Sequence, residues 1–294
     1  VRLDTNALNA MAEGLQEDLR KLTDSIQAHA GVPFSIDSPR QLGEVLFDHL
    51  AIAEKAKKTK TGQYATGEDV LQKLANNHPI VGEVLEYRQL NKLLSTYVRP
   101  LPELVDDETG RVHTQYMQAV AATGRLSSTQ PNLQNIPIRT ARGREIRKAF
   151  VPRDADHILM AADYSQVELR IVAALSGDRG LCQAFNEGAD IHTATAAKVL
   201  GLHPDAVERG QRSQAKAVNF GILYGQGAFG LAETLKIPRR EAKAIIEAYF
   251  SEFADLKAYQ TEVVERAKEV GYVETVLGRK RWLPDITSAN AVVR

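Results

Sequence analysis

The sequence predicts an α+β protein in which helices dominate and strands are short. Apolar residues recur at helical spacing through about the first hundred residues and again from Gln166 onward. Between those stretches the period falls toward two, as in a strand with one covered face. The change follows dense turn chemistry, Arg99-Pro100-Leu101-Pro102 and then Asp106-Asp107-Glu108-Thr109-Gly110. With 294 residues, 44% apolar and 25% charged at zero net charge, the chain can build a core and is not disordered in bulk.

Leu8, Met11, Leu15, Leu19, Leu22 and Ile26 predict a helix over 3–30, closed by Gly31. Ser38-Pro39 opens a second helical unit carrying Leu42, Val45, Leu46 and Leu50. A basic, Thr-rich loop at 55–67 interrupts this elongated helical region, which resumes through Val70, Leu71 and Leu74, then Ile80, Val84, Leu85, Leu90, Leu93 and Leu94. Val112, Thr114 and Tyr116 alternate as a strand, and the apolar run His157 to Ala162 reads as another, ending in Asp163. Helices are expected over 166–175, 191–200, 208–223, 239–252 after Pro238, and 254–270 before Gly271. Tyr272 to Val276 and Arg281 to Leu283 flank Leu277-Gly278 as a hairpin. The sequence has no internal repeat and no low-complexity tract.

No apolar run reaches the roughly 18 residues of a membrane span, and Val1-Arg2-Leu3-Asp4 lacks a signal-peptide pattern, so a soluble, cytoplasmic protein without membrane partners is expected. The one cysteine excludes an internal disulfide and a Cys-rich zinc site. Cys182, among Leu181, Ala184 and Phe185, reads as a buried, inert thiol. The cations are clustered although the net charge is zero. Arg139, Arg142, Arg144, Arg147, Lys148 and Arg153 stand against Glu145 alone, and further groups occur at Lys55, Lys57, Lys58, Lys60, at Lys236, Arg239, Arg240, Lys243, and at Arg279, Lys280, Arg281. Such runs are either solvated faces or contacts for a phosphate backbone.

Three segments carry candidate chemistry. In Asp163-Tyr164-Ser165-Gln166-Val167-Glu168-Leu169-Arg170, a carboxylate at the end of an apolar strand is either a metal ligand or a helix N-cap. Arg212, Lys216 and Phe220 recur every four residues, so at about 100° per residue they share a helix face spanning roughly 80°. Two cations beside an aromatic ring suit a polyphosphate and a stacked base, or form a solvated stripe beside a core Phe. The polar segment Arg125 to Asn135 suits phosphate, sugar and minor-groove edges, or is a simple turn. His192, in Asp190-Ile191-His192 at a helix start, is placed for an anion or for a structural bond. Gly225-Gln226-Gly227-Ala228-Phe229-Gly230 matches a dinucleotide pattern but follows a helix rather than a strand.

In this order, Arg125 to Gln134, D-Y-S-Q-V-E-L-R at 163–170 and R-x-x-x-K-x-x-x-F-G at 212–221 with Tyr224-Gly225 closely resemble the motifs of family A DNA polymerases, the bacterial DNA polymerase I type. K-K-T-K-T-G at 57–62 and G-Y-V-E-T-V-L-G-R at 271–279 extend the likeness along nearly the whole chain. The resemblance implies a right-hand architecture: thumb at 1–99, a partial antiparallel palm sheet at 100–175, and fingers with the start of a return to the palm at 176–294. It implies template-directed DNA synthesis in replication and repair, with primer-template DNA and dNTPs as partners of a monomer. Asp163 and the Tyr164 carbonyl would hold two Mg²⁺ ions. Arg212, Lys216 and His192 would grip the triphosphate, with Lys216 donating a proton to the leaving group. Phe220 would pack on sugar and base and disfavour dideoxynucleotides, Glu168 would exclude a ribose 2′-OH, Tyr224 would stack near the templating base, and Gln166 would complete the nucleotide set. Arg125, Asn132, Gln134, Lys58, Lys60 and Thr61 would contact DNA. The family's second catalytic Asp, in V-H-D-E, has no counterpart before Arg294, which implies a fragment, active as part of the parent enzyme or else a non-catalytic primer-template binder.

Overall fold

The structure, a computed structural model, describes residues 1–138 and 140–290; Arg139 of the basic run lies outside the described residues. The chain divides into two compact units, Val1–Met160 and Ala161–Arg294.

In the first unit the expected long helix runs from Thr5 to Ala30. Asp4 starts it by accepting a hydrogen bond from the Ala7 amide at 2.9 Å, and Gly31 ends it at φ 68°, a left-handed conformation that glycine adopts without steric cost. Its two ends feed two cores. Leu8 and Leu15 pack with Leu90, Leu93, Leu94, Val98 and Ile146, whereas Ile26 and Ala30 pack with Leu42, Leu46, Leu71, Ile80 and Val84. The helix Pro79–Leu93 crosses both cores, starting where His78 Nδ1 accepts from the Ile80 amide and proline occupies the first turn. Arg2–Leu3 pairs antiparallel with Phe150–Val151, and Gln115–Met117 with Ser127–Thr129, Gln115 facing Thr129.

The second unit is a helical cluster: Val167–Ser176, Arg179–Asn186, Ile191–Leu200, Arg209–Leu223, Ala228–Leu235, Arg239–Glu252 and Ala254–Val270, then the hairpin Tyr272–Glu274 with Lys280–Trp282. Leu169, Leu181, Val218, Ile222, Leu231, Tyr249, Phe253 and Leu256 form its core. Buried Asp178 joins two of these helices. One carboxylate oxygen caps Arg179–Asn186 by accepting from the Leu181 amide at 3.1 Å, and the other accepts from the Leu256 amide at 3.2 Å, in the first turn of Ala254–Val270. Cys182 is half-buried and its thiol donates to the Ala173 carbonyl at 3.3 Å.

One expectation is corrected and one alternative is removed. Residues 157–162 form no strand, and Ile158 and Met160 are each 85% exposed. A run apolar on both faces needs a neighbouring strand for its backbone and cover on each side, and no described strand pairs with it. Sheet structure among the described residues is therefore three separate two-stranded antiparallel pairs. Asp163 caps no helix: the helix that follows starts at Val167 with Gln166 at its N-cap, φ 55°.

Asp178→Ala is expected to destabilise the second unit by about 2 kcal/mol, because two buried helix amides lose their acceptor. The exposed cap Asp4→Ala should cost about 1 kcal/mol or less. Urea titrations of the two variants followed by circular dichroism check the order.

Candidate functional site

The site is built on the helix Arg209–Leu223. Gln211 accepts from the Glu208 amide at 2.9 Å, closing a capping box at its start. Ala215, Val218, Asn219 and Ile222 face the core, which turns Arg212, Lys216 and Phe220 outward along one stripe that Tyr224 extends.

Asp190 organises one end of the stripe. Its Oδ1 accepts from the amides of His192 and Thr193 at 2.9 and 3.2 Å, capping the helix Ile191–Leu200, while Oδ2 accepts from Arg212 Nε and Nη2 at 2.8 and 2.6 Å. Burial pushes the Asp190 carboxyl up, but the guanidinium and the two amides outweigh it, leaving the group below the ordinary carboxylate range. His192 is 3% exposed. Asn219 Nδ2 donates to its Nδ1 at 2.9 Å, and Thr195 Oγ1 donates to Asn219 Oδ1 at 3.0 Å. Burial lowers the His192 pKa and the charges of Arg212 and Lys216 lower it further, against Asp190. The imidazole is therefore neutral at pH 7. The His192 and Phe220 rings lie 5.9 Å apart, Phe220 and Tyr224 stack at 6.3 Å, and the Tyr224 hydroxyl donates to Glu168 Oε1 at 3.3 Å.

Residues 5–294 match the family model for DNA polymerase family A. The chain belongs to that family. DNA polymerase I of Geobacillus stearothermophilus is 51% identical over all of this chain and 33% of its own length. The thermostable DNA polymerase I of Thermus thermophilus is 48% identical over all of this chain and 35% of its own length. The POL domain of Pol1 from M. smegmatis, solved in complex with DNA primer-template and dNTP, matches with TM-score 0.90 and 43% identity over all of this chain and 52% of that one. This family A chain thus spans about a third of the length of the curated relatives it matches. No described helix is long and apolar enough to cross a membrane.

Of the family-implied residues, His192, Phe220, Tyr224 and Glu168 are linked by successive contacts, Arg212 meets the His192 end through their shared partner Asp190, and Lys216 joins them by its place on the helix. Gln166 sits two residues before Glu168 at the helix start. In the first unit, Asn132 and Gln134 are engaged within their own loop: Ser128 Oγ donates to Asn132 Oδ1 at 3.0 Å and the Ser128 amide to Gln134 Oε1 at 3.0 Å. Arg125, Lys58, Lys60 and Thr61 are exposed, with Lys58 over the Tyr64 ring at 4.8 Å and Thr61 bonded to Thr59 at 2.9 Å.

Asp163 and Tyr164 are exposed, and no described group of three His, Cys, Asp or Glu side chains converges as a metal site. One carboxylate and one carbonyl do not fit a protein-held pair of Mg²⁺ ions, which need near-octahedral oxygen shells. What the second unit does gather is a stripe of two cations, Arg212 and Lys216, followed by two stacked aromatic rings, Phe220 and Tyr224. Asp190, Thr195 and Asn219 were missed as site residues. An asparagine in mid-helix, where its side chain competes with the backbone, was the one available signal.

Because the folded-state pKa of His192 lies below the ordinary value of 6.5, the unfolded chain takes up its proton first on acidification. The stabilisation from the neutral ring is complete above pH 6.5 and is lost as pH falls from there through the folded-state value. His192→Gln should flatten that part of the stability curve, read by urea unfolding at stepped pH. Asp190, also depressed, contributes above the usual carboxylate range and loses its share in more acidic solution.

Proposed function

We propose that this chain is the nucleotide-selecting part of a cytoplasmic, monomeric DNA-directed DNA polymerase of the polymerase I type, acting in replication and repair. In this reading 1–99 is the thumb, 100–175 part of the palm and 176–294 the fingers with the start of the return to the palm. The observation that carries it is the stripe Arg212, Lys216, Phe220 and Tyr224 with His192 beside it.

The incoming dNTP lies along that stripe with its triphosphate at the cationic end and its base on the aromatic end. Arg212 uses two of its five N–H donors on Asp190 and keeps the rest for phosphate oxygens. Lys216 supplies a mobile ammonium and gives a proton to the departing pyrophosphate. Phe220 covers the sugar and base and disfavours dideoxynucleotides, Tyr224 stacks near the templating base, Gln166 lines the pocket, and Glu168, held by Tyr224, occupies the space a ribose 2′-OH would need. Arg125, Asn132, Gln134, Lys58, Lys60 and Thr61 contact the sugar-phosphate backbone and minor groove of primer-template DNA, so accuracy comes from base-pair shape rather than base-specific side chains. In the parent enzyme Asp163 and the Tyr164 carbonyl would hold Mg²⁺ only together with further oxygen donors.

Among the described residues Asp163 belongs to no group of three metal-ligating side chains, which supports a second reading for the isolated chain: a primer-template binder that does not catalyse. Primer extension with Mg²⁺ and four dNTPs, run beside a gel-shift, separates the two. Retarded DNA without elongation supports the binder, and elongation supports catalysis by the chain alone. In the full-length parent, Lys216→Ala should slow incorporation by about 10²- to 10⁴-fold, the range of a positioned proton donor. Turnover at the unsubstituted rate overturns the role given to Lys216.

A further inference from the structure

A neutral histidine can offer a site either a donor or an acceptor, and the choice is made by whatever bonds its other nitrogen. His192, Thr195 and Asn219 are 3%, 1% and 0% exposed, so the bonds among them face no competition from solvent. The Thr195 hydroxyl donates to the Asn219 carbonyl oxygen, which turns the amide nitrogen toward His192 Nδ1. An N–H aimed at Nδ1 requires that nitrogen to be unprotonated, so the proton of the neutral ring is on Nε2. Among the described residues no group bonds Nε2, and the buried side-chain polar atoms without partners there are Glu83 Oε2 and the Tyr249 hydroxyl. Nε2 is therefore the polar atom of this ring that reaches solvent, beside the stripe of Arg212 and Lys216.

We infer that Thr195 and Asn219 are positioning residues that hold His192 as an Nε2–H donor toward the triphosphate. The inference rests on the proposed nucleotide site. Their service is to prevent the opposite tautomer, in which an Nε2 lone pair would face phosphate oxygens and repel them. A donor fixed in this way also adds no third full charge next to Arg212 and Lys216, where like-charge repulsion would oppose it.

The test uses the unsubstituted chain and Thr195→Val, Thr195→Ser and Asn219→Leu, with two readouts. Long-range ¹⁵N–¹H correlation spectra of the His192 ring report which nitrogen carries the proton, and calorimetric titration with dATP reports affinity. The unsubstituted chain and Thr195→Ser should show Nδ1 bare and Nε2 protonated. Thr195→Val frees the amide to turn over and Asn219→Leu removes it, so both should populate the Nδ1–H form and raise the dATP dissociation constant on the order of 10-fold, the loss of one hydrogen bond to a charged group. Should Asn219→Leu fail to fold, Thr195→Val, which removes only a hydroxyl, decides the matter. An Nδ1–H ring in the unsubstituted chain, or a Thr195→Val variant with unchanged tautomer and affinity, overturns the relay. If the tautomers respond as expected while the unsubstituted chain binds no dATP, the nucleotide site itself is overturned and the donor loses its target.

Discussion

The carboxylate of Asp190 is the constraint on which the site depends. One of its oxygens closes the N-terminus of Ile191–Leu200 and the other holds Arg212 of Arg209–Leu223, so a single side chain ties two helices and aims a cation. Arg212 and Asp190 remain 43% and 37% exposed, so the ion pair itself contributes no more than about 1 kcal/mol after solvent screening. Its value lies in geometry. The second tie between the same helices, Thr195 to Asn219 to His192, is fully buried, and there an unmet polar group would cost more than the bond contributes. Because Asp190 offsets one of the two cations, the surplus charge of the stripe is that of Lys216.

The foundation beneath the stripe is apolar and local. Val218 and Ile222 on the inner face of Arg209–Leu223 pack in one core with Leu231, Tyr249, Phe253 and Leu256, and Asp178 fixes two further helices at the edge of that core. Support of this kind keeps the outward side chains in order along the helix, where Phe220 and Tyr224 stack on one another. It also explains why the outward face can be rich in cation and aromatic residues at modest cost to stability.

Most of the helices were legible in the sequence because their signal is local: apolar spacing set 5–30, 191–200, 209–223, 239–252 and 254–270 to within a residue or two. The run 157–162 misled for the opposite reason, since a strand exists only if another strand pairs with it. The same division holds for the site. Arg212, Lys216 and Phe220 announce themselves by their four-residue step, whereas the bonds that hold Arg212 and His192, Asp190 to Arg212, Thr195 to Asn219 and Asn219 to His192, join residues 22, 24 and 27 apart and have no periodic trace. Asp163 shows the limit of local reasoning: its place before a helix fitted a cap, but the left-handed turn at Gln166 took that position.

The central claim is that this face recognises a triphosphate through charge and a base through stacking. It is tested most directly by comparing dATP with dAMP in calorimetric titrations of the chain at stepped salt. The account predicts that dATP binds far more tightly than dAMP at low salt and that the difference shrinks as salt screens the exposed Lys216 and Arg212. Equal affinity for the two nucleotides at every salt concentration would contradict it.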